Sequence, residues 1–132
     1  MRSILERSGV AAAALLVTLA AQAHHSMAAV FDFDQRFTRT GTVSKVDWRN
    51  PHIYVFVETR DAQGRAETWA FEGPSPVFFR NHGSVGKSDF ESALGETVTV
   101  DASRARDGSR AGLIRTITLP GGVFVTLCPT NC

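Results

Sequence analysis

Cysteine is scarce in this sequence: there are two, Cys128 and Cys132, both within the last five residues. Their spacing excludes the C-x-x-C of a thiol oxidoreductase and the paired spacing of a zinc ribbon. In an oxidising compartment they would form a small local disulfide or stay as two reactive thiols, and a metal-binding pair is a further reading. So short a loop constrains little of the unfolded chain. Charge of one sign is lacking too, with 14 Lys and Arg against 13 Asp and Glu. Setting aside Arg2, Glu6 and Arg7 leaves twelve of each sign from His24 onward, so bulk attraction to a polyanion is absent and nucleic acid is not an expected partner. There is no Gly-rich phosphate loop, and Ser26, Ser75 and Ser109 lie in no G-x-S-x-G elbow. Neither an internal repeat nor an interdomain linker interrupts the chain, which leaves room for one domain.

Long apolar runs are limited to one, Val10 to Ala21, broken only by Thr18. It falls short of the roughly 20 residues that span a bilayer. Arg2 and Arg7 precede it and Ala21-Gln22-Ala23 follows it, which together make the three parts of a secretory signal. The expectation is a cleavable signal peptide over residues 1–23, cut after Ala23, and one mature domain over 24–132 without a membrane span. The expected location is periplasmic or secreted. No Cys follows the cut, so no lipid anchor is expected there.

The mature part is a succession of short β-type segments separated by turn residues. Thr38 to Trp48 is rich in Thr and Val, with Gly41 at an expected bend, and Asn50-Pro51 stops it. His52 to Thr59 sets Ile53, Val55 and Val57 on one face and Tyr54 and Phe56 on the other, which suits a central strand. Asp61-Ala62-Gln63-Gly64 is a turn, and Arg65 to Glu72 alternates to complete a hairpin. Ser75, Pro76 and Gly83 mark the start and end of one short helix, and Phe90 to Leu94 adds a helical turn. Thr97 to Val100, Leu113 to Leu119 and Val123 to Leu127 are the remaining strands. A mainly β fold follows, a small five- to six-stranded OB-like barrel with the helix between strands three and four. An open sandwich or antiparallel roll is the competing architecture.

The histidines carry the strongest chemical signal, and all four, His24, His25, His52 and His82, lie beyond the expected cut. If cleavage makes His24 the first residue, its amine and its ring Nδ1 can chelate one ion. Nitrogen donors in that arrangement favour a late transition metal, copper above all. His25 and His52 are the further ligands, and Pro51 stiffens the backbone beside His52. Ser26 occupies the third position, so the amino-terminal copper and nickel motif that needs His there is absent. Such histidines also serve as plain solvent-exposed residues or as plugs for loop carbonyls. Glu72 closes an aromatic strand and could face His52 across the sheet. A metal-free alternative is a protein-interaction or small-ligand module using Trp48, Tyr54, Trp69 and Glu72. The basic stretch Arg104, Arg106, Arg110 and Arg115 is ordinarily a solvated edge, and its sharper reading is a surface for an acidic partner.

The set His24-His25-Ser26, Phe31-Asp32, Gly41-Thr42-Val43, Trp48-Arg49-Asn50-Pro51-His52, Trp69-Ala70-Phe71-Glu72, Ser75-Pro76 and Asp107-Gly108-Ser109 resembles the domain of unknown function 6152 family of small exported proteobacterial proteins. The resemblance covers nearly all of the mature chain. It carries no catalytic assignment to transfer. It singles out His24, His25, Trp48, Asn50, Pro51, His52 and Glu72 as motif positions, which overlap the metal candidates. The chain departs from the pattern at Ser84, in the approach to Gly95 and in its CPTNC ending. The expected function is a non-enzymatic, exported binding protein. It would hold copper or another transition metal through His24, His25 and His52, with a small ligand or an envelope protein as alternative partner. A copper oxidoreductase is a third reading.

Overall fold

The computed structural model describes residues 27–83 and 85–128; the expected signal peptide, His24, His25 and Cys132 lie outside them. After a helical turn over residues 27–30 come strands β1 (Phe31–Asp47), β2 (Tyr54–Arg60) and β3 (Ala66–Glu72). Two short helices follow, α1 (Pro76–His82) and α2 (Lys87–Glu91), then β4 (Thr97–Ala105), β5 (Ala111–Leu119) and the short β6 (Val123–Thr126). The fold is mainly β, as the segment pattern indicates. No helix among the described residues is long and apolar enough to cross a membrane.

All six strands join one sheet in the order β3-β2-β1-β4-β5-β6, and every pairing along that order is antiparallel. A parallel pairing of β3 with β5, through Ala70↔Ala111, Phe71↔Gly112 and Glu72↔Leu113, closes five of the strands into a ring. β1 makes the ring possible by serving two neighbours. Its first part pairs with β4 and its last part with β2, with register shifts between Asp32 and Arg36 and between Val43 and Lys45. Such shifts bend a strand and raise its local twist. Gly41 lies where β1 changes partner, and a Cβ there would sit 2.2 Å from the Glu58 carbonyl oxygen, so only glycine fits.

Local chemistry accounts for the connections. In the β2–β3 turn, Asp61 Oδ1 accepts the backbone N–H groups of Gln63 and Arg65, and Arg65 Nε donates to Oδ2 at 2.7 Å. These donors, the Arg65 backbone first, hold the Asp61 carboxyl below its ordinary range. Gly64 supplies the left-handed backbone at φ 78°. The turn sets the register Val57↔Trp69 and Tyr54↔Glu72. Ser75 caps α1 by accepting the Phe78 N–H, and Pro76 opens the helix. The second helix covers residues 87–91, a little ahead of the expected 90–94, because Asp89 caps it by accepting the Gly86 N–H at 2.7 Å.

The core lies inside the ring. Val43, Val55, Val57, Trp69, Phe71, Val98, Val100, Ile114 and Ile117 are all buried there. Each such side chain stabilises the fold by about 1.5–3 kcal/mol relative to exposure. Trp48, Phe79 and Phe90 form a second aromatic layer, in which α1 and α2 pack against the strand that leaves β1. A smaller cluster of Phe31, Ala105 and Leu113, with Met27, Phe33 and Ala111 against it, lies under the first residues of β1.

Candidate functional site

The C-terminal end of β3 gathers three polar side chains. Glu72 ends the strand opposite Tyr54 on β2, and His52 stands two residues ahead of Tyr54, after a cis Asn50–Pro51 peptide. Residues two apart along extended chain share a face, so His52 and Tyr54 both lie beside Glu72. His52 Nδ1 is 2.5 Å from Glu72 Oε1, and the Tyr54 hydroxyl donates to Oε2 at 3.0 Å. Glu72 is nearly buried at 9% exposure, so the two bonds meet the need of its carboxylate for partners. Desolvation first, and then the bond to Glu72, push the Tyr54 phenol up to about 12. With Nδ1 turned to a carboxylate, the neutral imidazole carries its proton there and presents Nε2 as a lone-pair donor.

His52 also lines a cavity of about 320 Å³. The other walls are Met27, Ala28, Phe33, Gly73, Pro74, Leu113, Ile114, Leu127 and Cys128, almost all apolar. Cys128 is disulfide-bonded and 8% exposed. Arg106 secures the Met27 side: its Nε donates to the Ala28 carbonyl at 2.9 Å and its backbone N–H to the Val30 carbonyl at 2.8 Å. Among the described residues no three His, Cys, Asp or Glu side chains converge as a metal site, so a closed coordination shell at His52 needs further ligands.

The other residues singled out in the sequence are placed elsewhere. Trp69 is 3% exposed inside the ring, tilted against Phe37 at 5.0 Å, with its indole N–H donating to Glu67 at 2.7 Å. Trp48 packs on Phe79 and Phe90. Tyr54, Trp48 and Trp69 therefore do not share a surface. His82 stacks on Phe78 in α1 and lies with Phe124 around a separate cavity. The arginines of the β4–β5 hairpin are engaged within the molecule. Arg104 lies over Phe37 and Trp69, Arg106 holds Ala28 and Asp32, Arg110 pairs with Glu67, and Arg115 donates to Ser103. Met27 entered no reading of the sequence as a site, and Cys128 entered only as half of a pair with Cys132, never beside His52. Met27 follows directly on the His24-His25-Ser26 segment, which is the one signal that could have drawn notice to it.

A family of unknown function, DUF6152, matches residues 11–115. The chain belongs to DUF6152. The matched stretch includes His24, His25, His52, Tyr54 and Glu72, and it ends before Cys128. No curated protein and no solved structure matches the chain. DUF6152 membership names no ligand or reaction, so the chemistry of this member rests on the geometry around His52.

Proposed function

We propose that this DUF6152 protein is an exported, non-enzymatic binding protein that carries a late transition metal ion, copper first. Its ligands are the amine and Nδ1 of His24, the imidazole of His25, and Nε2 of His52. The observation that carries this reading is the fastened imidazole: Glu72 fixes His52 through Nδ1 and is itself fixed by Tyr54. A carboxylate behind a histidine sets the tautomer and raises the basicity of the coordinating nitrogen, as in many metal centres. The cavity beside His52 has Met27 in its wall, and two virtual bonds of 3.8 Å limit the His25 Cα to about 7.6 Å from that of Met27. The proposal takes its further ligands from the segment that precedes Met27. A nitrogen-rich set suits divalent copper.

The five-strand ring, with β1 shared between β2 and β4 and with α1 and α2 between β3 and β4, favours an OB-like barrel as its architecture. The signal-type start, Arg2 to Ala23, supports passage to the periplasm with cleavage after Ala23. Exposure of the His24 amine depends on that cut.

The test is to express the whole gene in a Gram-negative bacterium, recover the protein from the periplasmic fraction and read its first residue. It is then titrated with Cu(II) against a chromophoric competitor. The proposal expects His24 at the N-terminus and submicromolar binding of one ion, weakened by His24→Ala and by His52→Ala alike. Retention in the cytoplasm with the leader intact, or binding that neither substitution changes, would overturn it. A second reading is favoured by the apolar walls of the cavity, whose size is at the lower end of small-molecule sites. In that case a small apolar ligand binds against His52 equally well in the presence of a chelator.

A further inference from the structure

The cavity beside His52 holds a combination of donors that the nitrogen-ligand reading does not use. Met27, apart from Met1 the chain's single methionine, lines its wall, and so does Cys128 from the opposite end of the described chain. Residues of three donor types, a histidine, a methionine and a cysteine, therefore line one largely apolar space. Thioether and thiolate are soft donors that select monovalent copper over divalent copper and over hard cations. While Cys128 is disulfide-bonded its sulfur carries no charge and is a poor ligand. Its state thus decides what the cavity can hold.

We infer that this cavity is a redox-gated site for Cu(I), formed by Nε2 of His52, the thioether of Met27 and the thiolate of Cys128 once its disulfide is reduced. The inference rests on the metal role proposed above for His52. An external dithiol passes two electrons and two protons to the disulfide and becomes a disulfide itself; the S–S bond breaks and two thiols form. The Cys128 proton then leaves to solvent as the sulfur binds the cation. The thiolate and Cu(I) together are neutral, which suits a space walled by Phe33, Leu113, Ile114 and Leu127 better than a free thiolate would. The oxidised protein keeps the nitrogen donors and holds Cu(II). The reduced protein adds the Cys128 thiolate to the Met27 thioether already there and holds Cu(I).

The test uses the protein recovered from the periplasm, titrated under argon with Cu(I) against bicinchoninate. It is done before and after reduction by a phosphine and removal of the phosphine. The reduced protein is expected to bind one Cu(I) at least about tenfold more tightly than the oxidised one. X-ray absorption of that form is expected to show two sulfur ligands and one nitrogen. Met27→Leu keeps the apolar volume and should lose at least about tenfold in Cu(I) affinity. Cys132→Ser should bind Cu(I) tightly without any reductant, and Cys128→Ser should not bind it tightly in either state. Equal affinity before and after reduction, or an unaltered Met27→Leu, would overturn the inference and leave both residues as apolar lining. Loss of reduction-dependent Cu(I) binding while Cu(II) binding still needs His24 sinks this site alone. Reduction-dependent Cu(I) binding without any Cu(II) binding supports this site and sinks the amino-terminal chelate.

Discussion

Strand β3 carries two carboxylates, Glu67 near its start and Glu72 at its end, and the two are used in opposite ways. Glu67 Oε1 accepts the Thr59 hydroxyl and the Trp69 indole N–H, and its Oε2 accepts Arg110 Nε at 2.9 Å. Indole and guanidinium offer no lone pair, and the Thr59 hydroxyl only a weakly basic one, so this end of the strand is closed to a metal ion. Glu72 accepts from an imidazole and a phenol, each of which keeps a second bonding site after its donation. The carboxylate thus hands its charge on to groups that can still meet a ligand. What distinguishes a candidate metal site from a structural knot here is a basic lone pair left over in a partner of the acid, since both acids are well hydrogen-bonded.

Breaking the closed end should have the largest effect and leave the other untouched. Trp69→Ala opens a cavity in the ring and leaves Glu67 without its indole donor. It should cost about 3–5 kcal/mol in urea unfolding, while the folded fraction still binds copper with unchanged affinity. A change in affinity would show that the two ends are coupled. Glu72→Gln is the converse. It keeps the shape but withdraws the charge behind His52, and Cu(II) affinity should fall by roughly 10–100-fold with little change in melting temperature. Equal losses of affinity and stability would reduce Glu72 to the role that Glu67 has.

Two smaller effects separate the acids by pH. The bond from the Trp69 indole, chiefly, holds the Glu67 carboxyl below its ordinary value of 4.5. A carboxyl lowered in the folded state stabilises above its unfolded value and loses that contribution as pH falls through the folded one. Glu67→Gln should therefore melt below the wild type at pH 7, the gap narrowing in acid below about 4.5. Tyr54 runs the other way. Its folded value near 12 lies above the ordinary 10.0, so its contribution is complete below pH 10 and is lost as pH rises toward 12. Tyr54→Phe should lack that alkaline loss and, at neutral pH, should cost about 1.5–3 kcal/mol, the worth of a hydrogen bond to a charged group.

Much of this was legible in the order of the residues. The Asp61 to Gly64 turn, the alternation on either side of it and the Ser75-Pro76 helix start are local signals, and the structure keeps each of them. Glu72 facing His52 was also readable, because both are anchored to one hairpin. The start of β1 at Phe31, seven residues ahead of Thr38, was not. Asp32, Asp34, Gln35 and Arg36 disguise it with polar side chains, three of them exposed beside a register shift. Nor does any local pattern announce the parallel pairing of β3 with β5, which joins residues some forty positions apart. The grouping of Tyr54 with Trp69 failed on register. Val57 opposes Trp69 and Tyr54 opposes Glu72, so the two rings fall on opposite faces. The meeting of Met27 with Cys128 was hidden for the same reason as the parallel pairing: nearly the whole described chain separates them, and the fold brings both to one cavity.

The grip of Arg106 on the Ala28 carbonyl has a use of its own. It turns the start of β1 into a fixed pivot, from which each residue further upstream adds at most about 3.8 Å of reach. A ladder of variants with glycines inserted ahead of Met27 would then work as a molecular ruler. A luminescent lanthanide tag on the tail and a quencher at His52 would read the ladder out one rung at a time.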